Sequence, residues 1–312
     1  MTTQDSLAHQ VFPLSAADRN ALPALHDMFR RFWSAPLVKT APRIAYDAFF
    51  ATTPPSADVS LHPSTDAALP GWICAPTSPI DGEALLFLHG GAYMMGTAPA
   101  YRGLVSQIAA RTRRTTYILE YPLAPESALP VAIDRAVDAV ARLREYNGKV
   151  GLIGDSAGGG LTLSTLAALS TLAQSGNVSA AVVFSPWADL TLSGASMRER
   201  ASLELLLDET ALRAAARGYI GNAAADDPRA SPLLAIPEHL PPLLIQVGAN
   251  EILYDDALRY AHHAHARGHD VTLQEWAGMH HVFQQNVEQL EAARHALDLA
   301  AEFLHRQMGS RT

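Results

Sequence analysis

Cysteine is nearly absent from this chain: Cys74 stands alone among 312 residues, which excludes an intrachain disulfide. It falls in the short apolar run Trp72, Ile73, Cys74, Ala75 and reads as a buried structural thiol rather than a nucleophile. Positive charge is scarce as well, with 23 Lys and Arg against 31 Asp and Glu and a net charge of −8. That balance gives no electrostatic footing for nucleic acid or an anionic membrane, so neither is expected as a partner. No stretch reaches the roughly 18 apolar residues of a membrane span, and the nearest approach, residues 161–172, is interrupted by Thr and Ser. The first residues, with Asp5 and His9, lack the basic and continuous apolar regions of a secretory leader, so a cytoplasmic protein is expected. Internal repeats and low-complexity tracts are missing too.

What is present is apolar mass, 48% of the residues, enough for one large α/β domain. Apolar runs at residues 85–88, 116–119, 150–153, 180–184 and 243–247 read as buried parallel strands, and residues 72–75 and 271–276 read as further strands. Between them lie amphipathic helices, one over 131–143 and a last one in which Leu290, Ala293, Leu297, Ala300 and Leu304 keep a helical rhythm. This alternation predicts a doubly wound sheet with its ligand crevice at the carboxyl ends of the strands. Two segments break the pattern. Residues 15–40 read as helix, with Asn20 as cap, Pro23 in the first turn and Leu22, Leu25, Phe29, Phe32 and Trp33 on one face. Residues 194–230 are helical over 197–219. The expected organisation is one domain over 1–312, with 1–50 and 194–230 as lid helices above a core of 55–193 and 231–312.

The densest signal is at residues 151–160, where an apolar strand runs into Gly154, Asp155, Ser156, Ala157, Gly158. A serine between glycines two residues to either side sits on a sharp strand-to-helix turn, with its backbone strained and its Oγ presented. A nucleophilic serine needs a base, an orienting acid and an oxyanion hole. His89, Gly90, Gly91, Ala92, Tyr93 follow the 85–88 strand, where bare backbone N–H groups could meet an oxyanion together with the N–H of Ala157. After the last strand come two adjacent histidines, His280 and His281, either of which fits the base by position. After the 243–247 strand come three carboxylates, Glu251, Asp255 and Asp256, of which the two aspartates suit capping of the next helix.

The set His89-Gly90-Gly91, Tyr121 through Glu126, Gly154 through Gly158 and His281 with Phe283 resembles the bacterial hormone-sensitive-lipase-like esterases. Pro186 to Leu190 and Asp227 to Pro232 are similar to further landmarks of that family, and the likeness runs from about residue 20 to the end. The resemblance implies an α/β-hydrolase fold with a helical cap. It further implies Ser156 as nucleophile, His281 as base, and Gly90, Gly91 and Ala157 around the oxyanion hole. Two positions depart from the family pattern. Ala92 replaces a frequent third glycine while keeping its N–H, and Glu251 stands where the family commonly has Asp.

Other residues attract attention and carry less. His262, His263, His265 and His269 have partial metal-ligand spacing without an acidic or cysteine partner, so an exposed helix end is the better reading. Glu126 is expected to be a buried structural carboxylate, and His89 to orient its own loop. The chemistry expected is hydrolysis of small, short- to medium-chain carboxylic esters through an acyl-enzyme, by a monomer or homodimer, with no metal or cofactor. Lactone opening or amide deacylation would use the same groups. A non-catalytic ligand receptor, as the plant gibberellin receptors are within the same family, would need a damaged triad.

Overall fold

The computed structural model describes residues 6–309; Asp5, on which part of the leader reading rests, lies outside them. The strands are β1 (Ala8–Phe12), β2 (Val59–Pro63), β3 (Gly71–Pro76), β4 (Glu83–Leu88), β5 (Thr115–Leu119), β6 (Lys149–Asp155), β7 (Ala180–Phe184), β8 (Leu243–Gly248) and β9 (Val271–Trp276). They form a single sheet in the order β1-β9-β8-β7-β6-β4-β5-β3-β2. Every pairing from β1 across to β5 is parallel; the β5–β3 and β3–β2 pairings are antiparallel, so among these strands β3 alone runs against the rest. The helices are α1 (Ala16–Trp33), α2 (Pro36–Thr40), α3 (Pro42–Phe50), α4 (Arg102–Thr112), α5 (Val131–Tyr146), α6 (Ser156–Thr171), α7 (Ser196–Glu199), α8 (Glu209–Ile220), α9 (Tyr254–Ala266) and α10 (Glu291–Met308).

Because strand side chains alternate between faces, Leu86, Leu88 and Leu152 enter one core with α5, α6 and α9. Leu85, Phe87 and Ile153 enter the other, with α4, α10 and α1. Burial on both sides explains why the central strands read as unbroken apolar runs. The winding direction reverses between β4 and β6, since β4 continues to β5 on one side while β6 lies on the other. Such a switch opens a crevice at the carboxyl ends of the two strands. Leu88 pairs with Gly154 there, so the loop after β4 and the turn after β6 leave the sheet side by side.

Several expectations are corrected. Helix α1 begins at Ala16 with Ser15 as cap, its Oγ accepting from the Asp18 N–H at 3.0 Å; Asn20 is inside the helix and Pro23 is interior. The 197–219 stretch is two helices, α7 and α8, joined by an irregular segment. Asp255 and Asp256 lie in the first turn of α9, yet neither caps it. Asp255 accepts from the Ser196 N–H at 3.0 Å, and Asp256 accepts from Ala188 and Asp189 at 2.8 Å each. The helix end expected around the histidines agrees with the structure: α9 stops at Ala266 and closes with Gly268 at φ +84°, so His265 and His269 do not share a helix face.

The N-terminal helices reach the loops at the carboxyl ends of the strands. Phe29 of α1 meets the His280 ring at 4.9 Å and Phe49 of α3 at 5.4 Å. Helix α3 is pinned through polar contacts. Arg43 donates to the Met94 and Ala124 carbonyls and to Glu126, Asp47 accepts from Thr97, and Tyr46 meets Tyr101 at 2.7 Å. Glu126 is therefore an exposed ion-pair partner of Arg43 and not a buried carboxylate, because its turn opens toward α3 and solvent.

Packing beneath the turn after β6 is tight at Gly158, where a Cβ would lie 2.0 Å from the Leu88 carbonyl oxygen and 2.5 Å from that of His89. Both are backbone atoms that cannot swing away. Gly158→Ala is expected to cost about 1–3 kcal/mol or more of stability through overpacking, read as a lowered denaturant midpoint at unchanged m-value.

Candidate active site

Ser156 begins α6 with φ +53°, a left-handed conformation that an L-residue holds only when its surroundings impose it. The surroundings are the two flanking glycines. A Cβ on Gly154 would stand 2.3 Å from the Gly158 carbonyl oxygen, and one on Gly158 would strike the end of β4. The turn thereby lifts the Ser156 hydroxyl toward the loop after β9, where His281 Nε2 meets Oγ at 2.8 Å. His281 Nδ1 lies 2.8 Å from Glu251 Oε2. A carboxylate oxygen accepts, so Nδ1 carries the proton and Nε2 is left to accept from Ser156. The three residues, on the turns after β6, β9 and β8, are nearly or fully buried, with Ser156 the most open at 7%.

Glu251 is held by more than the imidazole. Its Oε1 accepts from the Gly248 N–H and from the Ser185 hydroxyl, each at 2.6 Å. Ser185 follows β7, adopts φ +48°, and its Oγ also accepts from the Val282 N–H at 3.1 Å. One hydroxyl thus joins the carboxylate to the residue after His281. Sequence reasoning passed over Ser185. Its available signal was position, directly before Pro186 at the carboxyl end of the strand beside the one that leads into Ser156.

Burial alone would depress the His281 imidazole. The hydrogen bond and charge of Glu251, with Glu204 and Asp155 farther off, outweigh it and raise the group above its ordinary 6.5. His280 faces the opposite balance. Burial pushes it down to about 4, so it is neutral, and it is bonded through Nε2 to Asn286 Oδ1 at 2.9 Å with no contact to Ser156. The tandem histidines are therefore distinguished by geometry. Asp155 is driven up to about 7 by burial, against the pull of the Gly90 N–H, the Tyr101 hydroxyl and His281.

That Gly90 contact corrects one expectation. The Gly90 N–H donates to Asp155 Oδ1 at 2.9 Å and so points away from any oxyanion. The N–H groups of Gly91 and Ala92 have no acceptor among the described residues, and Ala157, in the first turn of α6, has none within its helix. The loop is braced by the family-like segment at 121–126. Tyr121 donates to the His89 carbonyl at 2.7 Å, and the Ala124 N–H to that of Tyr93 at 2.9 Å. His89, lowered to about 4 by burial, is neutral and bonds its own loop at the Gly90 carbonyl. The two other landmark segments dock together as well, the Leu190 N–H donating to Ser231 Oγ at 2.7 Å. Among the described residues no group of three or more His, Cys, Asp or Glu side chains is arranged to hold a metal ion, the 262–269 histidines included. No described helix is long and apolar enough to cross a membrane.

Comparison with known proteins agrees with this architecture. Residues 85–285 match a family model described as the alpha/beta hydrolase fold. An acetyl-hydrolase of Streptomyces hygroscopicus is 40% identical over 232 residues, spanning 73% of this chain and 77% of that protein. An esterase of Acinetobacter venetianus is 34% identical over 225 residues, 71% of this chain and 74% of its own. Among solved structures, an esterase from the bacterial hormone-sensitive lipase family superposes with a TM-score of 0.87 at 31% identity, covering 93% of this chain and 99% of its own. The chain belongs to the α/β-hydrolase fold family, as a member resembling the bacterial hormone-sensitive-lipase-like esterases.

Proposed function

We propose that the protein is a serine carboxylesterase that hydrolyses short- to medium-chain esters through an acyl-enzyme. The observation that carries this reading is the continuous relay from the Ser156 hydroxyl through His281 to Glu251, with both links at 2.8 Å. His281 Nε2 takes the hydroxyl proton as Ser156 Oγ attacks the ester carbonyl, and Glu251 stabilises the resulting imidazolium. The tetrahedral oxyanion is received by the N–H groups of Gly91, Ala92 and Ala157, each donor of this kind being worth about 3 kcal/mol or more. His281 then passes the proton to the departing alkoxide. In the second half it deprotonates a water that attacks the acyl carbon, and Ser156 leaves with its proton restored. Within this reading the helices of 1–50 and the 194–230 segment form a cap over the 55–193 and 231–312 core, supported by the Phe29 contact with His280. The names of the relatives, acetyl-hydrolase and esterase, favour a small acyl group. The acidic surface gives no basis for adsorption to lipid interfaces.

Ser156→Ala is expected to abolish p-nitrophenyl ester hydrolysis while leaving the circular dichroism spectrum and melting temperature close to wild type, since the glycines and not the hydroxyl shape the turn. A wild-type rate series from acetate to palmitate, with one lactone included, should peak at short or medium chains. Activation on emulsified long-chain substrate would overturn the size preference.

Of the tandem histidines, His281→Ala should remove activity to the level of Ser156→Ala, and His280→Ala should be the milder change. The reverse order would reassign the base.

The base must be neutral to act, and His281 is held above 6.5. The rate kcat/KM should therefore fall as pH drops through an apparent pKa above that value. Glu251→Gln is expected to lower kcat by up to about four orders of magnitude and to move the acid limb to lower pH, because burial then dominates. Asp255→Asn and Asp256→Asn should lower the melting temperature and leave that limb in place. An Asp variant that loses rate without losing stability would displace Glu251 as the acid.

A further inference from the structure

We infer that Glu204, on the irregular segment between α7 and α8, is a positioning residue whose carboxylate fastens that segment to the turn bearing Glu251 and places a second negative charge in the field of His281. The inference rests on the relay reading above and extends it to a residue outside the triad.

Glu204 is hydrogen-bonded to two parts of the chain at once. Oε1 accepts from the N–H groups of Leu205 and Leu206 at 2.9 Å and of Leu207 at 3.3 Å. Oε2 accepts from the Ile252 N–H at 3.1 Å. Ile252 is the residue directly after Glu251, and its carbonyl is taken by the Ser196 hydroxyl at 2.6 Å. Both backbone polar groups of that residue are thus held by the 194–230 segment. The acid turn is clamped from above by Glu204 and Ser196, as it is clamped from below by Ser185 and the Gly248 N–H. Segment 205–207 has no regular structure of its own, so the carboxylate also organises the chain it sits on.

A neutral acceptor could meet the N–H groups, but it would not supply charge. The titratable groups that face His281 are Glu251, Glu204, Asp155 and the neutral His280, and the first three all favour the imidazolium. Burial raises Glu204 itself, the charge of Glu251 adds to that, and His281 opposes both. An imidazolium that forms during acylation is therefore attracted by two carboxylates attached to one turn, one from the sheet side and one from the inserted segment. Displacing the segment would withdraw the second charge and loosen the first.

The test uses the full-length protein and reads the His281 imidazole by NMR titration beside the pH profile of p-nitrophenyl acetate hydrolysis. Glu204→Gln is expected to lower the His281 pKa and the acid limb by about 0.3–1 unit, and kcat by about tenfold with little change in KM. Glu204→Asp should restore the limb, since the charge returns, while kcat stays below wild type because the shorter arm cannot span both segments. An unchanged His281 titration in a folded Glu204→Gln protein would overturn the proposal, whatever its melting temperature, because a merely structural role moves stability and not the imidazole. If Glu204→Gln does not fold, a wild-type kcat in Glu204→Asp overturns it. A wild-type enzyme inert toward every ester would sink the esterase reading alone, since the NMR titration is independent of turnover.

Discussion

Nothing larger than a hydrogen atom fits between Gly158 and the end of β4, and the geometry of the whole crevice follows from that closeness. The first turn of α6 is pressed against the backbone of Leu88 and His89, so the Ser156 turn and the loop after β4 are packed as one body. Asp155 completes the union by taking the Gly90 N–H. With that amide consumed, the next two in the chain, Gly91 and Ala92, have no acceptor among the described residues. Tyr121 and Arg43 then brace the loop from its far side through the His89 and Met94 carbonyls.

A second consequence of the buried crevice is that each charge in it must be matched by donors. Glu251 is fully buried and receives three, from Gly248, Ser185 and His281. Asp155 receives two, from Gly90 and Tyr101, and Tyr101 spends its proton there, so Tyr46 must donate to Tyr101 in turn. A chain of hydroxyls therefore leads from α3 to the residue beside Ser156. The left-handed backbones of Ser185 and Val282 bring the β7 and β9 turns into the same network.

The central strands and the sharp Ser156 turn were legible because their physics is local. Full burial gives an unbroken apolar run, and a crowded turn demands glycine at fixed offsets. The edges were not. β1 is solvent-exposed along most of its length and reads as polar chain until β9 is beside it, with Phe12 stacked on Trp276 at 4.1 Å. The start of α1 was misplaced because Asn20 and Pro23 imitate an opening signal inside a helix that Ser15 already caps. Position alone did not separate His280 from His281, for which the resemblance favoured His281; in the fold Nε2 of His280 faces Asn286 and that of His281 faces Ser156. Gly90 was assigned to the oxyanion because a motif names residues and not the directions of their N–H vectors. Ser185 and Glu204 act across more than forty residues of sequence, at a range no spacing rule reaches.

The N-terminal helices enter from one border of the sheet and are fixed near the other. β1 is zipped to β9 over five residues, and α3 is riveted at Arg43, Tyr46 and Asp47 to the loops that follow β4 and β5. Between those moorings α1 crosses above His280. A ribbon tethered at both ends behaves as a strap and not as a hinged door: to lift it clear, the β1 ladder or the Arg43 clasp must part, and with it the hold of Asp18 on the Glu291 and Ala292 N–H groups at the start of α10. The strap thus fastens the chain beside His280 at three separate places, the β1 ladder, Asp18 and Arg43.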